Sequence, residues 1–182
     1  MASKVPHAMP IPPDNKDWTW VLRRQCPECG LDTQSFDRED VGRLLRENVR
    51  SWEEILERGE QLADRPRPDK WSPLEYACHV RDVIVLYAER LDLMLHDEGP
   101  HYPDWDQNIT AREKRYDVSD PREVRQELAD AAEVLADKFD HVHGEQWSRP
   151  GYRSDGASFT IETFARYFIH DPIHHLWDVR SD

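Results

Sequence analysis

The chain has 182 residues, in which 24 lysines and arginines oppose 37 aspartates and glutamates, giving a formal net charge of −13 at pH 7. This length suits one well-filled core and would leave two independent domains marginal. The negative charge argues against nucleic acid or an anionic membrane as a partner, because both would need a basic patch. The composition therefore predicts a single acidic domain with neither partner.

The sequence offers no candidate for a membrane span or a signal peptide. No apolar run approaches the ~18 residues of a span, and the first 15 residues, MASKVPHAMPIPPDN, lack an apolar stretch. The three cysteines are too few and too unevenly spaced for a disulfide framework. We expect a cytoplasmic protein with reduced thiols.

Most of the sequence without a regular secondary-structure pattern lies in residues 1–36. This predicts an N-terminal arm lying on a domain of residues 37–182. The arm contains Cys26-Pro-Glu-Cys29-Gly, which is half of a zinc knuckle. The pair is interpreted as a structural zinc site, a disulfide or a redox-active thiol pair, with a structural role favoured over catalysis. Zinc would need further ligands, for which the sequence offers Cys78, His7 and His101.

Apolar periodicity predicts four helices. From about Asp37 to Leu62, apolar residues recur every three or four positions and indicate the first helix. A serine cap, a proline and a capping-box glutamate at 72–75 begin the second, which runs to about residue 96. The third helix begins after Ser119-Asp120-Pro121 and ends at Gly144. The fourth helix is capped by Thr160 and runs to about Val179.

No segment alternates polar and apolar residues with a period of two, so no sheet is expected. The segment 97–118 between the second and third helices is long and rich in glycine and proline. The sequence therefore predicts an all-α fold: a four-helix bundle with an irregular N-terminal arm and a long crossover.

The fourth helix carries three histidines and two aspartates within nine residues. Residues four apart share a helical face, so His170 with His174, or Asp171 with His175, could hold one ion. The apolar residues of this helix define a face toward which His175 points, with Asp171 at its border, whereas His170 and His174 point further out. This pattern favours Asp171 and His175 and keeps the other pair as the alternative.

A helix that supplies two ligands needs a third from elsewhere, because zinc is held by at least three protein ligands. His79 lies two turns into the second helix beside its apolar face and is the best donor. The predicted metal site therefore joins the second and fourth helices.

Two sequence features resemble the DinB/YfiT-like superfamily, to which mycothiol-dependent maleylpyruvate isomerases belong. They are Trp71, eight residues before His79, and the motif His-His-Leu-Trp-Asp-Val at 174–179. The resemblance extends over roughly residues 37–180 and implies a four-helix bundle that binds a metal.

The resemblance, registered on Asp178, implies the ligand set His79, Asp171 and His175. Members of the group carry histidine or glutamate where this chain has Asp171, and His170 is the substitute if Asp171 does not reach the ion. We expect carboxylates near the site to orient the imidazole rings. The candidates for this role are Asp178, Asp82 and Glu75.

The resemblance also implies a divalent metal, with zinc favoured over nickel, iron or manganese, and a low-molecular-weight thiol such as mycothiol as cosubstrate. An ion held by three side chains can activate a thiol or water. We therefore expect a metal-dependent enzyme acting on a small molecule, as a thiol-dependent S-transferase or isomerase, or as a hydrolase. Because Asp171 departs from the family pattern, the alternative is a non-catalytic metal- or ligand-binding bundle with a stress or interaction role. By analogy with other bundles, a homodimer is also expected.

Overall fold

The computed structural model describes residues 11–12, 16–58 and 60–181. Four long helices form a bundle, and a fifth short helix and three short strands lie in the connections. In chain order the elements are α1 (Val41–Glu57), α2 (Pro73–His96), β1 (His101–Tyr102), α3 (Gln107–Glu113), α4 (Pro121–Asp140), β2 (Pro150–Arg153), β3 (Ser158–Thr160) and α5 (Ile161–Arg180). Short 3-10 turns cover Trp18–Leu22, Arg38–Asp40, Tyr116–Val118 and Gly144–Ser148.

The core lies between the four long helices, where α4 and α5 each pack against both α1 and α2. Trp52, Leu128 and Phe168 from three of these helices are completely buried. At the contact of α1 with α4, a Cβ on Gly42 would lie 2.9 Å from the carbonyl oxygen of Ala136, so the absence of a side chain lets the helices approach closely. The predicted all-α bundle is confirmed. Within the described part of the chain, none of the helices has the length and apolar character needed to cross a membrane.

The helix starts follow the local chemistry of the sequence. Ser72 accepts a hydrogen bond from the Glu75 backbone, and the Glu75 carboxylate accepts one from the Ser72 backbone, which completes the predicted capping box of α2. The Asp120 carboxylate caps α4, and the Thr160 hydroxyl caps α5. All three predicted starts are confirmed.

The first helix is shorter than predicted. It ends at Glu57, although apolar periodicity continues to Leu62. Leu62 is buried from the connection instead, and its carbonyl accepts a hydrogen bond from the Leu74 amide. An apolar residue in a loop can thus contribute to the same core as the helix before it.

The expectation of no sheet was wrong for three short strands. β1 pairs in parallel with β2, and β2 pairs antiparallel with β3. Each strand has two to four residues, which is too short for a period of two to show in the sequence. The predicted crossover therefore contains β1, α3 and a 3-10 turn.

The described part of the arm lies against α5. The 3-10 turn Trp18–Leu22 packs on this helix, and the Arg166 guanidinium donates hydrogen bonds to the carbonyl oxygens of Thr33 and Phe36. The Thr33 hydroxyl in turn donates to the Val21 carbonyl oxygen at 2.6 Å. Arm and helix are therefore joined just before the histidine-rich part of α5.

Candidate metal centre

The structure brings His79 of α2 together with Asp171 and His175 of α5, and the ligand atoms of these three residues, here called the triad, lie within 4.8 Å of one another. His79 Nε2 is 3.5 Å from Asp171 Oδ1, and His175 Nε2 is 3.7 Å from Asp171 Oδ2. Two nitrogen or oxygen ligands of one tetrahedral zinc ion lie about 3.4 Å apart. The triad therefore has nearly the spacing of a ligand set.

The triad also contains buried polar atoms without a partner. His79 is 1% exposed, and neither of its ring nitrogens has a hydrogen-bond partner among the described residues. Asp171 Oδ1 is likewise unpartnered there, because its 3.5 Å distance to His79 Nε2 is longer than a normal hydrogen bond. Buried polar atoms are normally bonded, so these atoms are positioned for something that the side chains do not supply. The residues fit a divalent ion.

The rings of the triad are held by their neighbours. Trp105 stacks on His79 at a centroid distance of 5.5 Å, and Trp71 lies on the same ring at 5.2 Å. Asp178 Oδ2 lies 2.9 Å from His175 Nδ1, which leaves His175 Nε2 facing Asp171. Trp105 lies in the crossover, and no pattern in the sequence indicated that it would contact His79.

Glu75 and Asp82, which were expected to orient the rings, have other partners in the structure. Glu75 closes the capping box and pairs with Arg65 at 2.5 Å. Asp82 lies further along α2, where it forms ion pairs with Arg81 and Lys114 and accepts a hydrogen bond from the Tyr116 hydroxyl. Among the described residues, neither carboxylate has a hydrogen bond or ion pair to the triad.

The protonation states of two triad members suit metal binding. Burial lowers the pKa of His79, which favours the neutral ring. Burial alone would raise the pKa of Asp171, but the nearby His175 and His79 outweigh it and lower the pKa to about 2. A neutral imidazole and an ionised carboxylate are the forms in which these side chains bind metals.

A second cluster lies beside the triad and consists of Cys26, Cys29, His170 and His174, with ligand atoms within 4.8 Å of one another. His170 and His174 are 5% and 7% exposed, although the helical periodicity placed them further out. The arm covers them, and the Trp18 ring lies 5.5 Å and 5.0 Å from the two imidazoles. The alternative ligand pair of the sequence analysis, His170 and His174, is therefore associated with the arm cysteines and not with His79.

The other ligands considered for the Cys26 and Cys29 pair do not join this cluster. His7 lies outside the described residues. Cys78 is buried in the bundle core, and His101 stacks on Tyr152 at the sheet. All three cysteines are free thiols in the structure.

The triad and the two histidines of the second cluster border a cavity of about 1110 Å³. Its walls come from the arm, the connection before α2, α2, the crossover, β2 with the loop after it, and α5. Arg90, which is 5% exposed, also lines it. The cavity is large enough for a small-molecule substrate to reach the triad.

Comparisons with known proteins agree with this architecture. The family model of the DinB superfamily matches residues 58–179, which is more than half of the chain. YfiT from Bacillus subtilis, described as a probable metal-dependent hydrolase with an unusual four-helix bundle topology, matches with a TM-score of 0.70 and 19% identity, over 81% of this chain and 90% of that chain. No curated protein matches. With residues 58–179 matched by its model and the bundle in place, the chain belongs to the DinB superfamily.

Proposed function

We propose that the protein is a metal-dependent enzyme in which His79, Asp171 and His175 hold a divalent ion, and that it transfers a low-molecular-weight thiol to a small electrophile. The observation that carries this proposal is a three-ligand set, with unpartnered buried donor atoms, that borders a large cavity. Three protein ligands leave coordination positions free for a reactant, as in catalytic zinc sites.

An ion at this position would lower the pKa of a bound thiol toward neutrality and so supply a nucleophile. The chain's own residues position the reactants. Asp178 fixes the orientation of the His175 ring, and Trp71 and Trp105 enclose the His79 ring. In the transfer a carbon–sulfur bond forms, the bond from carbon to the leaving group breaks, and the thiol proton passes to water.

The buried Arg90 in the cavity wall favours a reactant that carries an anionic group. Its guanidinium donates to the Pro103 carbonyl oxygen at 2.6 Å and lies over the Tyr87 and Tyr102 rings. Its buried Nε has no hydrogen-bond partner, and no carboxylate pairs with it among the described residues. Because arginine binds carboxylates well, a carboxylate-bearing thiol or substrate would satisfy this charge.

Hydrolysis is the second candidate reaction, and the fold similarity to YfiT favours it, since that protein is described as a probable metal-dependent hydrolase. The same three ligands would serve to activate water instead of a thiol. Zinc is the favoured metal for either reaction. The pairing of two imidazoles with one carboxylate also suits iron(II), so the metal must be measured.

The test uses full-length protein purified without a histidine tag and loaded with zinc, iron(II), nickel or manganese. Conjugation of monochlorobimane is followed with and without mycothiol, cysteine or glutathione, and with and without a chelator. His79→Gln is compared with His141→Gln, a matched control at an exposed histidine that follows the C-terminus of α4 and does not line the cavity. We expect conjugation that requires both thiol and metal and that His79→Gln abolishes.

Two results would contradict the thiol-transfer proposal. Metal-dependent turnover of ester or amide substrates that needs no thiol, with no conjugation, would favour hydrolysis. Metal binding at the triad without turnover of either kind would favour the non-catalytic alternative.

A further inference from the structure

We propose a second metal site that does not depend on the proposed enzymatic function: Cys26, Cys29, His170 and His174 bind a zinc ion that fixes the arm to α5. This set is here called the arm cluster. It consists of two thiols from one loop and two imidazoles one turn apart on a helix.

The donor atoms of the arm cluster have a spacing that fits a tetrahedral zinc site. Cys26 Sγ lies 3.7 Å from His174 Nδ1, whereas sulfur and nitrogen ligands of one zinc ion lie about 3.6 Å apart. The cysteines are separated by two residues and the histidines by three, as in Cys₂His₂ sites. The sequence spacing and this distance therefore both match a zinc site.

The loop between the cysteines is already folded. The Cys26 amide donates to the Leu31 carbonyl oxygen at 2.9 Å, and the Gly30 amide donates to the Cys26 carbonyl oxygen at 3.0 Å. Gly30 has a φ of +76°, which glycine adopts without strain. The Gln25 side chain donates to the Gly30 carbonyl oxygen at 2.8 Å. These bonds fix the turn that carries both thiols.

The two imidazoles are buried and oriented like metal ligands. Nε2 of His170 is buried and has no hydrogen-bond partner among the described residues. His174 turns Nε2 toward Glu28 Oε2 at 3.3 Å, and its Nδ1 faces Cys26. A carboxylate on the ring nitrogen that does not bind the ion is the usual arrangement around a metal-bound histidine.

The donors favour zinc and a structural role. Thiolates select soft metals, and four protein ligands leave no position for a substrate. Binding converts two thiols to thiolates and releases two protons, with no oxidation or reduction. Because Trp18 and Glu28 of the arm line the cavity beside the triad, the ion would hold one cavity wall in place.

The test measures metal content and thiolate ligation in the full-length, untagged, reduced protein. Zinc per chain is determined by elemental analysis, and the protein is then substituted with Co²⁺, whose bonds to thiolates give charge-transfer absorption in the near ultraviolet. The wild type should show this absorption. Cys29→Ser should lose it together with about one equivalent of zinc, and Cys78→Ser, which alters a cysteine outside the cluster, should keep both.

His79→Gln separates this site from the triad, because it should keep the thiolate absorption whether or not the protein is an enzyme. His170→Gln provides a second variant in the arm cluster, and circular dichroism checks that each variant remains helical. Absence of Co²⁺–thiolate absorption in the reduced wild type would overturn the proposal, and this measurement needs no variant. A Cys26–Cys29 disulfide in freshly purified protein, or full zinc retention by folded Cys29→Ser, would overturn it as well.

Discussion

The triad and the arm cluster use the same turns of α5, offset by one residue. Asp171 and His175 face α2, whereas His170 and His174 face the arm, because successive helical residues are rotated by about 100°. The triad has three nitrogen and oxygen donors, and the arm cluster has four donors including two sulfurs. Three protein ligands would leave coordination positions for a reactant, whereas four would fill them, so the two proposed sites on this helix suit different roles.

Asp178 links the two clusters. Its Oδ2 lies 2.9 Å from His175 Nδ1 of the triad and 3.9 Å from His174 Nε2 of the arm cluster. One carboxylate therefore influences imidazoles of both groups, and the comparison can be tested by removing donors from one side at a time.

The largest effect is expected for His175→Gln. Loss of a triad ligand should reduce metal-dependent turnover by at least about 100-fold. Loss of a residue that only orients a ligand already reduces activity by up to about 100-fold, and loss of the ligand itself should cost no less. Steady-state rates and metal content measure this effect. The Co²⁺–thiolate absorption should persist, and its loss would show that the two clusters are not separate sites.

Removal of zinc from the arm cluster should lower stability. At free zinc about 100-fold above its Kd, the ion contributes about 2.7 kcal/mol, or about 5–11 °C in Tm for a chain of this size. In thermal melts with and without zinc, the zinc-dependent shift should be smaller by this amount in Cys26→Ser than in Cys78→Ser, because zinc at the triad would still stabilise both variants. An equal zinc-dependent shift in both variants would place the stabilising ion elsewhere.

Asp178→Asn should weaken metal binding at the triad by about 10- to 100-fold, because His175 loses the carboxylate that orients it. The effect on the arm cluster should be smaller, since the distance to His174 is 3.9 Å. Competition against chelators of graded affinity measures both. Asp137→Asn, next to the exposed His141, is the matched control and should leave both affinities unchanged.

Gly42→Ala should destabilise the bundle without removing either metal. The added methyl group would meet the Ala136 carbonyl oxygen at 2.9 Å, and crowding of this kind costs about 1–3 kcal/mol. Urea unfolding measures the loss. If the folded variant keeps its full metal content, destabilisation of the bundle does not by itself cause metal loss. If it loses metal, the metal loss of the ligand variants cannot be assigned to the missing ligand.

Much of the fold could be predicted because helix starts depend on neighbouring residues. The caps at Ser72, Asp120 and Thr160 act through bonds to amides two or three residues away. The end of α1 and the three strands could not be predicted, because Leu62 is buried from a loop and the strands are held by pairing with distant segments.

The candidate sites divide in the same way. Spacing along α5 identified both candidate ligand pairs, and His79 stood out on α2 as a third donor. The burial of His170 and His174 was missed because a helical wheel describes one helix and not the arm that covers it. The C-x₂-C and H-x₃-H spacings were nevertheless in the sequence and could have linked the arm to α5.

The sequence by itself determined the bundle, the caps of three helices and the residue types capable of holding an ion, since these follow from local periodicity and side-chain chemistry. The tertiary structure decided which donors meet: His79 with Asp171 and His175, and the arm thiols with His170 and His174. The reason is that ligation requires side chains from separate elements to lie within a few ångströms, and that distance is set by how the helices and the arm pack.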